Sequence, residues 1–283
     1  MRRIILYIVY GDNQGYYDGA KFSLITLMNW FSDKDSIEIV ILTEKPEAFL
    51  NIPVTIIPMT NLQINEWSLN GKYHFRIKNR GLAFAMDVLQ IKDLDKILFF
   101  DTDTYFKKSP IKLFELIQKN QALFYLNEGL IYKRKRFNIY VDSLRNKKIK
   151  IKDMIYELEK DSEMWGSLMV GIMLDMRPSL DLADELLLKF IDIVPAHTIE
   201  PFALVEMLKR KYKIVEGKKF VNLYSTSRKK EHVVKILSKF FIENKSSSFE
   251  SLIYEAQKIQ IKRSIFIILK QRFLRLVKKN VES

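Results

Sequence analysis

Asp101 and Asp103 stand one residue apart at the end of an apolar run, KILFFDTDTYF over residues 96–106. Carboxylates that close a buried strand must be paired or bind a cation, because an unpaired charge there is expensive. Two of them at this spacing can reach the same hard divalent cation, with phosphate oxygens as its other ligands. Asp-x-Asp alone is a weak signal. The chain holds two more, Asp33-Lys34-Asp35 and Asp93-Leu94-Asp95, both in polar contexts that read as solvated turns. Placement after Ile97, Leu98, Phe99 and Phe100 distinguishes the third pair.

Two chemistries use such a pair. In nucleotide-sugar transfer, a cation bridges the diphosphate and offsets the charge on the leaving nucleotide. In haloacid-dehalogenase-type phosphoryl transfer, the first Asp is a nucleophile, with a Val or a hydroxyl two residues after the second. The chain has Tyr105 at that position, and no Asp-Asp or Gly-Asp-x-x-x-Asp cluster follows residue 103. The phosphotransferase reading is therefore minor.

A sheet must position the pair. RRIILYIVY reads as a buried strand and GAKFSLITLMNWF as an amphipathic helix after a glycine-punctuated turn. SIEIVILTE and PVTIIPM are two further strands, FRIKNRGLAFAMDVLQI is apolar at helical spacing, and DKILFFD follows. Strands alternating with helices predict an α/β domain with a mostly parallel central sheet flanked by helices. Ligands of such sheets bind beyond the carboxyl ends of the strands, where the two aspartates fall. Downstream, ALFYLNEG and SLMVGIMLDM read as strands, and LADELLLKFIDIV and EPFALVEMLKRKY as helices. Between them lies a basic insertion, with nine Lys/Arg and one Asp over residues 133–152.

The totals bound the partners. A chain of 283 residues with 48% hydrophobic and 12% aromatic residues can bury a large core. It has no cysteine, which excludes disulfides, thiolate catalysis and Cys-based zinc sites and fits a reducing cytoplasm. The apolar run after Met1-Arg2-Arg3 is only about eight residues, which reads as a first strand and not a signal peptide. No stretch approaches the roughly 20 apolar residues of a membrane span. The net charge of +13 is uneven: residues 1–199 hold 27 Lys+Arg against 26 Asp+Glu, and residues 200–283 hold 20 against 8. A body over residues 1–225 followed by a basic helical C-terminal extension over 226–283 is the expected organisation.

With these residues in view, the chain resembles the bacterial nucleotide-diphospho-sugar glycosyltransferases of the GT-A fold, near glycosyltransferase family eight. The likeness runs over roughly residues 4 to 225. YIVYGDNQGYYDGAKFS is similar to the first strand and nucleotide loop, which implies Tyr10, Gly11 and Asp12 as donor-binding residues. YHFRIKNRG is similar to an Arg-x-Lys segment that aims cations at the diphosphate, which implies Arg76 and Lys78. LFFDTDTYF matches the metal motif, implying Asp101 and Asp103 as ligands of manganese or magnesium and Thr102 at the donor. LNEG points to Glu128 beside the acceptor pocket. MWGSLMVGIMLD resembles the strand under the donor sugar and implies Ser167. HTIEPFAL resembles a helix start whose acid, Glu200, approaches sugar and acceptor, and FVNLYS falls where the family carries its third metal ligand, implying Asn222.

The resemblance implies hexosyl transfer onto a surface-glycan acceptor of lipopolysaccharide or capsule type, which can be lipid-linked, with retention of configuration. The chain departs from the family at Gly166 (Asn), Leu168 (Gly), Pro201 (Gln) and Asn222 (His). Those changes remove groups that orient the sugar, so the rival expectation is a weakly active or inactive protein that binds sugar nucleotides or a membrane surface. His74, His197 and His232 show no metal-ligand spacing with one another.

Over residues 258–280 the chain has eight Lys/Arg and no acid, with Phe266, Leu269, Phe273 and Leu276 on one helical stripe. Such a helix can lie on an anionic membrane surface or pack its stripe onto the body. No specific nucleic-acid partner is expected, because basic charge alone is non-specific. The expected location is cytoplasmic, with peripheral attachment at the inner face of the plasma membrane if the tail binds lipid.

Overall fold

A computed structural model describes residues 1–31, 36–224 and 226–261. Its centre is β1 (Arg3–Val9), whose apolar run is explained by burial on both faces. Ile4, Leu6 and Ile8 enter one core cluster, while Ile5, Tyr7 and Val9 enter another on the opposite side of the sheet. The chain continues through α1 (Gln14–Met28), β2 (Ile37–Thr43), β3 (Thr55–Pro58), α2 (Asn61–Trp67), α3 (Arg76–Val88) and β4 (Lys96–Phe100). Next come β5 (Thr104–Tyr105), β6 (Gln121–Leu130), α4 (Asn138–Leu144), β7 (Ile149–Ile151), β8 (Met154–Tyr156) and β9 (Glu163–Met173). The described chain finishes with α5 (Arg177–Phe190), α6 (Ile199–Leu208), β10 (Lys213–Glu216), β11 (Asn222–Leu223), α7 (Ser227–Glu243) and α8 (Phe249–Ala256).

The protein is α/β, with a seven-stranded sheet in the order β10-β6-β9-β4-β1-β2-β3. Only β9 runs against its neighbours. From β1 the chain winds outward through β2 to β3, then crosses back to place β4 on the other side of β1. The direction of winding therefore reverses between β1 and β4. At such a switch point the loops leaving the two strands diverge and open a crevice beyond their carboxyl ends. Tyr10 leaves β1 there and Asp101 leaves β4. Because β9 is antiparallel, it re-enters the sheet at that same end: Phe99 pairs with Val170, and the Asp101 amide donates to Leu168 O at 2.9 Å.

Helices α3, α5 and α6 cover one face of the sheet and α1 the other. A third apolar cluster joins Phe22 and Ile25 of α1 to Tyr105, Tyr224, Val233, Leu237, Phe240, Ala256 and Ile261. The described part of the C-terminal extension is thus packed onto the body through α7 and α8. The Phe266–Leu276 stripe lies outside the described residues, as does the Asp33–Asp35 pair. Among the described residues no helix is long and apolar enough to cross a membrane.

Asp95, read from sequence as part of a solvated turn, is buried. It accepts from the Arg2 amide at 2.7 Å, Arg2 Nε at 3.0 Å and the Lys92 amide at 3.1 Å. Burial alone would raise its pKa; the hydrogen bonds from Arg2 and Lys92 outweigh that and hold it below the usual carboxylate range. The clamp fixes the starts of β1 and β4 side by side, so their far ends open together at the crevice.

Gly19 marks the closest approach of α1 to the Asp-x-Asp turn. A Cβ there would stand 2.7 Å from Thr102 O and 2.9 Å from Tyr224 Oη. Alanine gains about 1 kcal/mol in helix propensity over glycine, but neither neighbour can yield, since Tyr224 donates its hydroxyl to that same carbonyl at 3.1 Å. Gly19→Ala is therefore expected to lose a net ~1–3 kcal/mol of stability by overpacking, read from urea denaturation. A more stable variant would mean that α1 can slide away from the turn.

Candidate functional site

The turn after β4 is held at each of its three carbonyls. Asp101 O accepts from Thr104 Oγ1 at 2.7 Å, Thr102 O from the Tyr224 hydroxyl, and Asp103 O from the Tyr224 amide at 3.2 Å. The backbone of Asp101 and Asp103 is thereby fixed at the mouth of the crevice.

Lys78, early in α3, is the hub. Its Nζ lies 2.7 Å from Ser167 Oγ, 3.3 Å from Ser167 O, 3.2 Å from Glu200 Oε2 and 4.0 Å from Asp101 Oδ2. Burial pulls this ammonium down, and the carboxylates of Asp101 and Glu200 more than offset it, leaving its pKa above the usual lysine value. Glu200 sits in the first turn of α6 and is 1% exposed. Its amide donates to the Tyr73 hydroxyl at 3.1 Å, and its Oε2 accepts from Ser167 Oγ at 3.3 Å. Burial raises its pKa against the pull of Lys78, and Asp101 adds to the rise. Asp101 is likewise pushed up, by burial first and then by Asp103, with Lys78 opposing.

Asp103 is 7% exposed, and its Oδ1 has no hydrogen-bond partner. Its Oδ2 faces Lys230 Nζ of α7 at 3.6 Å, and that ammonium lies 5.3 Å above the Tyr16 ring. Three carboxylates thus face two ammonium groups. The crevice carries an excess of negative charge next to an unpartnered carboxylate oxygen, which suits a cation. Among the described residues no group of three or more acids, histidines or cysteines gathers to hold a metal.

The other residues singled out in the sequence divide. Tyr10 joins the site: its hydroxyl donates to His74 O at 3.0 Å, and burial followed by the negative charge of Asp101 raises its pKa. Gly11 has φ +88, the left-handed region where glycine is unstrained, and its amide donates to Glu44. Asp12 is fully exposed and pairs with Lys45 at 3.0 Å. Thr102 contributes its carbonyl as described. Ser167 bridges Lys78 and Glu200. Glu128 borders the site from β6: a Cβ on Gly166 would stand 3.6 Å from its Oε1.

Arg76 turns away. Its guanidinium forks onto Asp184 with two contacts of 2.7 Å and donates to Glu66 O at 2.9 Å. In α3, residues two apart point about 200° from each other, so Arg76 and Lys78 cannot serve one ligand. Asn222 pairs with Tyr105 through the β11–β5 ladder, and among the described residues its amide makes no hydrogen bond to Asp101 or Asp103. Sequence reasoning missed Lys230 and Tyr224. Tyr224 lies inside the FVNLYS segment, two residues after Asn222, with nothing local to show its reach to Thr102, and Lys230 sits in a charge run, RKKEH, that carries no distance information.

No family model matches this chain, and no curated protein sequence matches it.

Proposed function

We propose that the protein is a GT-A-type glycosyltransferase that moves a sugar from a nucleotide-diphosphate donor onto a glycan acceptor of lipopolysaccharide or capsule type. The observation that carries this reading is the convergence of Lys78, Asp101, Ser167 and Glu200 in the crevice between β1 and β4. Tyr10 and Gly11 line the nucleotide side, and Asp103 lies beside Asp101. Asp101 and Asp103 would hold manganese or magnesium, with Asn222 the third, weaker donor that the resemblance implies. A bound divalent cation would offset the charge of the departing nucleoside diphosphate. Lys78 orients Ser167 and Glu200 under the donor sugar and keeps Asp101 and Glu200 from repelling one another. In the transfer, the acceptor hydroxyl oxygen bonds to the anomeric carbon and the bond from that carbon to the diphosphate oxygen breaks. The nucleoside diphosphate leaves with the electron pair, and the hydroxyl proton passes to an acceptor-side carboxylate, Glu128 or Glu200. The protein would work in the cytoplasm, at the inner membrane face if its basic tail binds anionic lipid.

A binding-only protein is the second reading. It is favoured by Glu200, which is 1% exposed and whose Oε2 is already held by Lys78 and Ser167. Calorimetry of nucleotide-sugars with manganese or magnesium tests the site. One donor should bind in a metal-dependent way, and Asp103→Ala should weaken it by at least ~100-fold, as expected when a metal ligand is lost. Failure of every donor to bind would remove both readings. Release of nucleoside diphosphate from the bound donor, lost in Asp103→Ala, would separate turnover from binding alone.

A further inference from the structure

The open side of the site ends at Glu128, and the chain beyond it is basic. Leu126 pairs with Gly166 and Asn127 with Trp165, which sets Glu128 beside the strand that carries Ser167. The strand is then irregular between Asn127 and Gly129, where Gly129 has φ +100, a left-handed conformation that glycine adopts without strain, before β6 ends at Leu130. Four cations follow in succession, Lys133, Arg134, Lys135 and Arg136, all exposed.

This run is folded back over the end of β6. Arg136 Nη2 lies 2.8 Å from Glu128 Oε2 and 3.5 Å from Glu128 O. The Arg134 guanidinium rests on this irregular stretch of β6, with its Nε 3.2 Å from where a Gly129 Cβ would be. The helix that follows, α4, is tied to the site by Tyr140, whose hydroxyl lies 2.6 Å from Thr198 Oγ1, two residues before Glu200. Burial raises the Tyr140 phenol, and the negative charges of Glu128 and Glu200 both add to the rise.

Arg136 is neutralised by Glu128, but Lys133, Arg134 and Lys135 meet no carboxylate among the described residues. Consecutive cations without counter-charge repel one another and do nothing for a neutral sugar. They suit an anion, since one guanidinium and two ammonium groups exposed in succession offer charge-assisted donors of the kind that phosphomonoester oxygens accept. We propose that the acceptor is a phosphorylated glycan, whose phosphate is held by Lys133, Arg134 and Lys135 while its sugar lies toward Glu128 and Glu200. This assignment rests on the transfer reading above.

The test uses the full chain and the variant Lys133→Gln/Arg134→Gln/Lys135→Gln, whose changed residues are all exposed. Calorimetry should show glucose 6-phosphate bound roughly tenfold tighter than glucose, about what one charge-assisted contact supplies. The triple variant should lose that preference, and Asp103→Ala should keep it. Glucose 6-phosphate bound no better than glucose, or bound equally by the triple variant, would overturn the proposal while leaving nucleotide-sugar binding intact. Phosphatidylglycerol vesicles separate the two sources of a phosphate. Vesicle binding abolished in the triple variant, with no preference for glucose 6-phosphate, would assign the run to a lipid headgroup and overturn the glycan. Retained glucose 6-phosphate binding in a protein that binds no nucleotide-sugar would remove the transfer reading and the acceptor assignment with it.

Discussion

Lys78→Ala should abolish donor binding and cost about 3–5 kcal/mol of folding stability, the range for removing one partner of a buried ion pair. Both losses have one cause. The ammonium is the only positive charge within 4.0 Å of either Asp101 or Glu200 among the described residues. Without it, two carboxylates whose pKa values are already raised by burial face each other in the crevice. Some relief comes from protonation, since a buried acid that loses its counter-charge takes up a proton more easily. A double variant separates the two roles. Lys78→Ala/Glu200→Gln removes the uncompensated charge together with its partner, so stability should recover by roughly 1–3 kcal/mol relative to the sum of the single changes. Donor binding should not recover, because Ser167 still lacks the group that orients it. Urea denaturation reads the first quantity and calorimetry the second. A single variant with unchanged stability and unchanged donor binding would show that Lys78 is a solvated lysine that merely lies near the carboxylates.

Lys78 also shows how far the sequence can be read. Strands β1 and β4 are legible because burial on both faces leaves an unbroken apolar run, and α3 because its apolar residues recur at helical spacing. The Asp-x-Asp turn is legible because charge directly after such a strand has few explanations. The partners of that turn are not legible. Tyr224 reaches Thr102 across 122 residues of sequence, and only the tertiary fold supplies that contact. The direction of β9 is also silent in its composition: an apolar strand reads the same whether it runs parallel or antiparallel. Yet the antiparallel run is what returns Ser167 to the carboxyl end of β4. Short edge strands such as β10, with four half-exposed or exposed residues, carry too little pattern to separate from a loop. The pairing of Arg76 with Lys78 failed for a different reason. Residues two apart share a side in an extended chain and diverge in a helix, so the choice of backbone period decided their roles.

The divergence can be measured. Arg76→Ala is expected to cost about 3–5 kcal/mol, since Asp184 would stay buried without its forked partner. The lower end is the better expectation, because Arg80 Nη1 already stands 3.8 Å from Asp184 Oδ2 and can take up part of the charge. Arg76→Lys should recover little of the loss, as an ammonium cannot make two parallel contacts or reach Glu66 O with the same planar group. Arg76→Met/Asp184→Leu should come close to the parent protein, because apolar groups of similar size often replace a buried pair with little change. In every variant that remains folded, nucleotide-sugar affinity should match the parent. Affinity falling in parallel with stability across the whole series would return Arg76 to the diphosphate. Stability falling alone would leave Lys78 as the cation of α3 that faces the donor, with Arg76 clamping α3 to α5 so that Lys78 is held on target.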